Sequence, residues 1–163
     1  MSDAVVISFT RVEAVHLRGL VGQFVDLLSD AEAASDPAVS RLTPSAYPDD
    51  AASADQFRAA TRADLLRRRS EEAATVLADL ASAGELDPAD DHAFDEALTQ
   101  MEISLEPRQV AAWLRTLNAV RLVLAERLGI DDEDDHPADD PRFGVYEWLG
   151  YRLELLIGAT EDV

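Results

Sequence analysis

The chain has 163 residues, with 14 basic side chains against 33 acidic ones, a formal net charge of −19 and 47% hydrophobic residues. That apolar fraction excludes a disordered chain, and the lack of cysteine excludes a disulfide scaffold and thiol catalysis. The charge argues against holding duplex nucleic acid through its phosphates, which needs clustered positive side chains.

One domain, residues 1–163, is expected at this length. All 14 basic residues are Arg, and Ala occurs 27 times. This mix reads as the codon usage of a GC-rich genome, with a halophilic habitat as the other reading. The acidic excess gathers late: residues 131–163 hold eleven acids and two Arg. Asp3 stands where a secretory leader would be basic, and no apolar stretch approaches 18 residues. A cytoplasmic protein without a membrane span is therefore expected.

Residues 4–9, AVVISF, are β-branched and aromatic and predict a short strand. From Val12 to Leu28 the apolar residues fall at helical spacing, with Gly19 and Gly22 inside the run. Those glycines predict a close helix neighbour. Residues 35–50 contain three prolines and predict an ordered loop, with Asp49 and Asp50 placed as N-caps. A short helix follows over 51–60. Thr61 and Asp64 have capping-box spacing, so a second helix or a kink is expected from there to Ala83, with Gly84 as the stop.

Pro88 opens a short helix through Leu98 in this reading. Met101, Ile103 and Leu105 alternate with Glu102 and Ser104 and predict a second strand, able to pair with the first. Pro107 suits a helix start, and Gly129 ends that helix after Leu128. Residues 131–142 form an acidic linker, and a last helix runs from Phe143 to Ile157. The expectation is a mainly α, single-domain bundle of about five helices with a short two-stranded β ribbon. The last helix is apolar on most sides, and the first shows the same excess. Two such helices in a small domain favour self-association, with a two-fold homodimer as the expected form.

Asn118 and Arg121 fall on the apolar seam of the 107–128 helix. A buried guanidinium needs a carboxylate, because an unpaired buried charge is costly. Glu102, Glu147 and Glu154 are the candidate partners. Two readings remain open, a structural ion pair and an anion- or carboxylate-binding pocket. The run Asp131–Asp140 has the composition of a cation site but not the spacing of a calcium loop, since no glycine lies at its centre. A solvated acidic loop is the plainer reading. His16, His92 and His136 lie on three different elements and never at i, i+4 spacing. No Gly-x-Ser-x-Gly elbow and no phosphate loop occur. Arg67, Arg68 and Arg69, with Arg58 and Arg62, are either paired with Asp64, Glu71 and Glu72 or form a docking patch for an acidic partner. No metal, cofactor or catalytic residue is assigned.

Two stretches carry a resemblance. One reads Arg41-Leu-Thr-Pro-Ser-Ala-Tyr47-Pro-Asp-Asp50. The other reads Trp113-Leu-Arg-Thr-Leu-Asn118-Ala-Val-Arg121-Leu-Val-Leu124, with Tyr146-Glu-Trp-Leu149 further on. The pattern resembles a family of unknown function found mainly in actinobacteria, over about residues 7–157. Glu106 departs from it, where a capping Thr is usual, and so does Ala125, where Gly is usual. The resemblance implies no established activity. Family genes often sit beside the one for the Clp protease adaptor, which implies by association a place near regulated proteolysis. The resulting expectation is a non-catalytic interaction or regulatory protein, homodimeric, with the Clp adaptor machinery as a candidate partner and no nucleic acid or membrane. The alternative is a small-molecule or anion sensor. Arg41, Tyr47, Asp50, Asn118 and Arg121 are the candidate ligand- or partner-binding residues. A DNA-binding regulator and a carboxylate enzyme are weaker alternatives.

Overall fold

The computed structural model describes residues 3–30, 33–43, 51–131, 136–137 and 139–162. Strand β1 (Val5–Thr10) pairs antiparallel with β2 (Gln100–Leu105), so that Val5 faces Leu105, Ile7 faces Ile103 and Phe9 faces Met101. Val5, Phe9, Ile103 and Leu105 are buried while Val6 is exposed, so one face of the ribbon packs on the core.

Helix α1 (Arg11–Ser29) starts on a capping box. Thr10 Oγ1 accepts from the Glu13 N–H at 3.3 Å, and Glu13 Oε2 accepts from the Thr10 N–H at 2.8 Å. Ala14, Leu17, Val21, Phe24 and Leu28 form its buried stripe. Gly19 and Gly22 do not serve a close neighbour: a Cβ on either would meet nothing within 4 Å.

Helix α2 (Pro37–Leu42) replaces part of the expected loop. Asp36 accepts from the Ala38 N–H at 2.8 Å, and Pro37 occupies the first turn, where its missing N–H costs nothing. Six residues are too few to show a helical period, so only the cap signalled it. The prolines Pro44 and Pro48 and the expected caps Asp49 and Asp50 lie outside the described residues.

Helix α3 (Ala51–Asp79) is one helix, without the break expected at Thr61. Asp64 does not act as a capping partner there; it takes Arg67 and Arg68 from the next turn. The helix gives way to a 3₁₀ turn at Ala81–Ala83 and stops at Gly84, whose φ of +64° suits glycine. Helix α4 (Ala93–Ala97) begins later than Pro88. The Asp87 and Asp90 side chains accept from the Ala89 and His92 N–H groups and hold the intervening residues in turns.

Helix α5 (Pro107–Leu128) has the bounds its sequence signals predict, and Gly129 closes it at φ +71°. Gln109 Oε1 accepts from the Glu106 N–H at 2.8 Å, so this half of the cap survives the departure from Thr. Helix α6 (Gly144–Glu161) follows a 3₁₀ turn held by Asp140. Among the described residues the architecture is thus mainly α, six α-helices and one two-stranded ribbon.

Helix α5 is central, touching α1, α2, α3 and α6. Its Trp113 is fully buried, 5.9 Å from the Phe9 ring, and donates from Nε1 to Asp79 Oδ2 at 2.8 Å. Gln109 donates to the other Asp79 oxygen at 2.8 Å, which ties the end of α3 to the start of α5. Of the two helices expected to be apolar all round, α6 exposes Val145, Tyr151, Leu155 and Ile157. Helix α1 exposes no large apolar side chain. No helix among the described residues is long and apolar enough to cross a membrane.

Candidate anion-binding site

Two ion pairs fasten α2 to the end of α5. Arg127 grips Asp36 with Nη1 to Oδ1 at 3.0 Å and Nη2 to Oδ2 at 2.6 Å, a fork-to-fork geometry. That guanidinium holds the Asp36 carboxyl below its usual range. The neighbouring Glu126 takes Arg41 Nη1 at 3.1 Å. Arg41 is thereby held beside α5.

Arg121 reaches the same region from the next turn back. Its guanidinium lies 4.1 Å from the centre of the Tyr146 ring, and its Nε donates to the Tyr146 carbonyl at 3.3 Å. It is half-buried, not sunk in the core. Glu147, one of the expected carboxylate partners, receives His136 Nε2 at 2.8 Å. Asn118 is exposed, which corrects the reading that put it on the apolar seam. The seam runs through Thr116, Leu117 and Val120, and Asn118 turns the other way.

These side chains line one cavity of about 180 Å³, with Leu122, Ala125, Ile130, Asp131 and Tyr146. Ala125, Ile130 and Tyr146 on its wall belong to a small apolar cluster completed by Phe143. Of the five residues singled out in the sequence, the fold brings together Arg41, Asn118 and Arg121. Tyr47 and Asp50 lie outside the described residues. Among the described residues the Asn118 carboxamide has no hydrogen-bond partner, so its donor and acceptor are both open to a ligand.

The basic cluster of α3 behaves differently along its length. Arg67 pairs with Asp64 and Glu71, and Arg68 pairs with Asp64. Glu72 is taken by Arg115 at 2.8 Å, a partner the sequence did not suggest because it comes from α5. Arg62 donates to the Ala33 carbonyl and Arg69 to the Leu42 carbonyl. The Arg58 side chain lies outside what the structure describes.

Two further features lie elsewhere. An apolar groove of about 340 Å³ runs between β1 and α6, lined by Val6, Phe9, Trp113, Leu155 and Ala159. The charged residue on its wall, Arg152, is committed: it pairs with Glu13 at 2.6 Å and donates to the Ser8 carbonyl at 2.8 Å. The three histidines are far from sharing a ligand set, and no group of three or more His, Asp or Glu is gathered for a metal among the described residues. Polar recognition chemistry is concentrated around Asn118.

The fold and the site define a mainly helical protein with an arginine-lined cavity against its central helix. The chain belongs to the family described as "Domain of unknown function (DUF2017)", which matches residues 1–160. No curated protein and no solved structure matches it.

Proposed function

We propose that this protein is a binding module, an accessory or regulatory factor, whose recognition site is the cavity lined by Arg41, Asn118 and Arg121 and whose ligand is anionic. The observation that carries the reading is the meeting of two guanidinium groups and an unengaged carboxamide in one cavity of a chain with net charge −19. Arginine stays charged across the biological range, and a carboxamide neither takes nor gives a proton. Such a set orients and holds an acidic group. It matches carboxylate or phosphate oxygens through paired N–H donors.

The test is an NMR titration that follows the Asn118 side-chain amide and the arginine Nε–Hε signals. The probes are inorganic phosphate and a short peptide with one aspartate. Saturable shifts at Asn118 and Arg121, lost in R41Q, with the Arg121 shift reduced in N118A, support the reading. Signals that stay still at millimolar probe would overturn it.

A second reading rests on α6. Val145, Tyr151, Leu155 and Ile157 are each about half exposed on one helix, which favours a protein interface there. Its occupant in this reading is a second copy of the chain, with the Clp adaptor as the other partner the family resemblance implies. Light scattering after size exclusion, alone and with the adaptor, separates the two. A dimer that ignores the adaptor supports self-association, and a monomer that gains mass on mixing supports the adaptor.

A further inference from the structure

The Asn118 side chain also lines a second cavity, of about 510 Å³, which Arg121 does not line. Its other walls are Leu65, Arg68, Arg69 and Glu72 of α3 and Arg115 of α5. Three guanidinium groups therefore face one carboxylate there, against a net charge of −19 for the whole chain. Arg68 and Arg115 have partners in Asp64 and Glu72. Arg69 has none of that kind among the described residues. It is half-buried, its Nη2 donates to the Leu42 carbonyl at 3.3 Å, and its Nε is buried without an acceptor. Among the described residues no carboxylate offsets its charge. A partly desolvated cation without a counter-charge is unfavourable, and an anion in the cavity relieves it.

Resting on the reading of the Asn118 cavity as an anion site, we infer that the two cavities form one two-lobed site for an acidic peptide segment in extended conformation. One carboxylate enters the lobe of Arg41 and Arg121, and a second enters the lobe of Arg68, Arg69 and Arg115. The two cavities adjoin, because Asn118 lines both. Arg115 and Arg121 are six residues apart on α5, ~9 Å along the axis and ~120° around it, so an extended chain crosses the helix at Asn118. Acidic residues four apart on an extended chain are ~13 Å apart, the longer span that such a crossing needs.

Two details favour a peptide over a polyphosphate. The Asn118 carboxamide stands between the lobes with a donor and an acceptor, the complement of a peptide C=O and N–H. Each lobe also holds a carboxylate, Asp131 in one and Glu72 in the other. Those oxygens repel dense negative charge but accept from peptide N–H groups. Leu65 and Leu122 offer apolar contact for the residues between the two acids.

The test is fluorescence anisotropy on the full chain with three labelled hexapeptides. One carries two aspartates separated by three residues, one carries a single aspartate, and one carries asparagines instead. Inorganic pyrophosphate serves as competitor. The diacidic peptide binds about tenfold or more tightly than the monoacidic one, the increment of one good charge-assisted contact. R115Q, at a largely exposed side chain, and R69Q bring that ratio towards one. R67Q makes the same charge change outside the cavity and leaves the ratio as it was. A monoacidic peptide that binds as well as the diacidic one overturns the two-lobed site and leaves the anion reading standing. Failure of both acidic peptides overturns the two together. Pyrophosphate that binds more tightly than the diacidic peptide overturns the peptide assignment.

Discussion

The Arg121 guanidinium lies against Gly150, one turn beyond the Tyr146 ring that it covers. A Cβ on Gly150 would stand 2.9 Å from Arg121 Nη2 and 3.1 Å from Cζ and Nε. The glycine is what allows the guanidinium to sit flat between α5 and α6. G150A therefore tests the packing against the same change made without Arg121. Alanine in a helix interior normally adds up to ~1 kcal/mol over glycine. Here the methyl group meets the end of a long side chain, which shifts to make room, so part of that gain is lost in urea unfolding. G150A is expected to stabilise the R121A protein by more than it stabilises the parent. An equal effect in both backgrounds would refute the close approach.

Glu13 joins α1, β1 and α6, and its protonation is expected to weaken that junction. Burial opposes its charge, but hydrogen bonds from the Thr10 N–H, Arg152 and Trp148 outweigh it and lower the pKa from 4.5 to about 2. The folded form therefore binds the Glu13 proton less readily than the unfolded chain does. The resulting stability is full above pH 4.5 and is lost as pH falls from there towards 2. Thermal melts of the parent and E13Q between pH 6 and pH 2 are the check. The gap between them is expected to narrow as pH drops, and a constant gap would show that the charge of Glu13 plays no part.

Asp36 does two jobs, capping α2 and holding Arg127. D36A removes both, and D36N keeps an oxygen for the cap while losing the charge. Loss of an N-cap costs ~1 kcal/mol, and a partly exposed ion pair adds less than that. D36A is expected to be the less stable in urea, with D36N between it and the parent. Equal stability of the two variants would assign the whole effect to the ion pair.

Trp113 is held by the Asp79 carboxylate as well as by packing. W113F keeps most of the apolar contact with Phe9 but leaves a half-buried Asp79 oxygen without its donor. The expected cost is ~1–3 kcal/mol. A loss below ~0.5 kcal/mol would mean that water replaces the indole N–H at no cost.

Local chemistry made much of this fold legible. Pro107 and Gly129 bracket α5, and the alternation of Met101, Ile103 and Leu105 marks β2, because caps, stops and strand periods are written in neighbouring residues. The same logic failed at Thr61, where a capping pattern sits inside one continuous helix. There the wider helix overrides a signal that only suits an end. It also failed at Gly19 and Gly22, while the glycine inside a helix that has a close neighbour is Gly150. Nothing in the sequence around a glycine tells which side chain from another helix will arrive.

The sequence by itself determined most of the elements, though not α2 or the unbroken α3, and the residue types able to bind an anion, since periodicity, caps and charge are local properties. It named Arg41, Asn118 and Arg121, but it did not decide that they share a cavity. Only the tertiary structure decided that, because α2, α5 and α6 meet through contacts between residues far apart in the chain. It also decided that Asn118 faces outwards between two groups of arginines and that Arg69 lies beside it with no ion pair among the described residues. Those facts depend on the rotation of α5 against α3, which packing over the whole core sets and no short segment encodes.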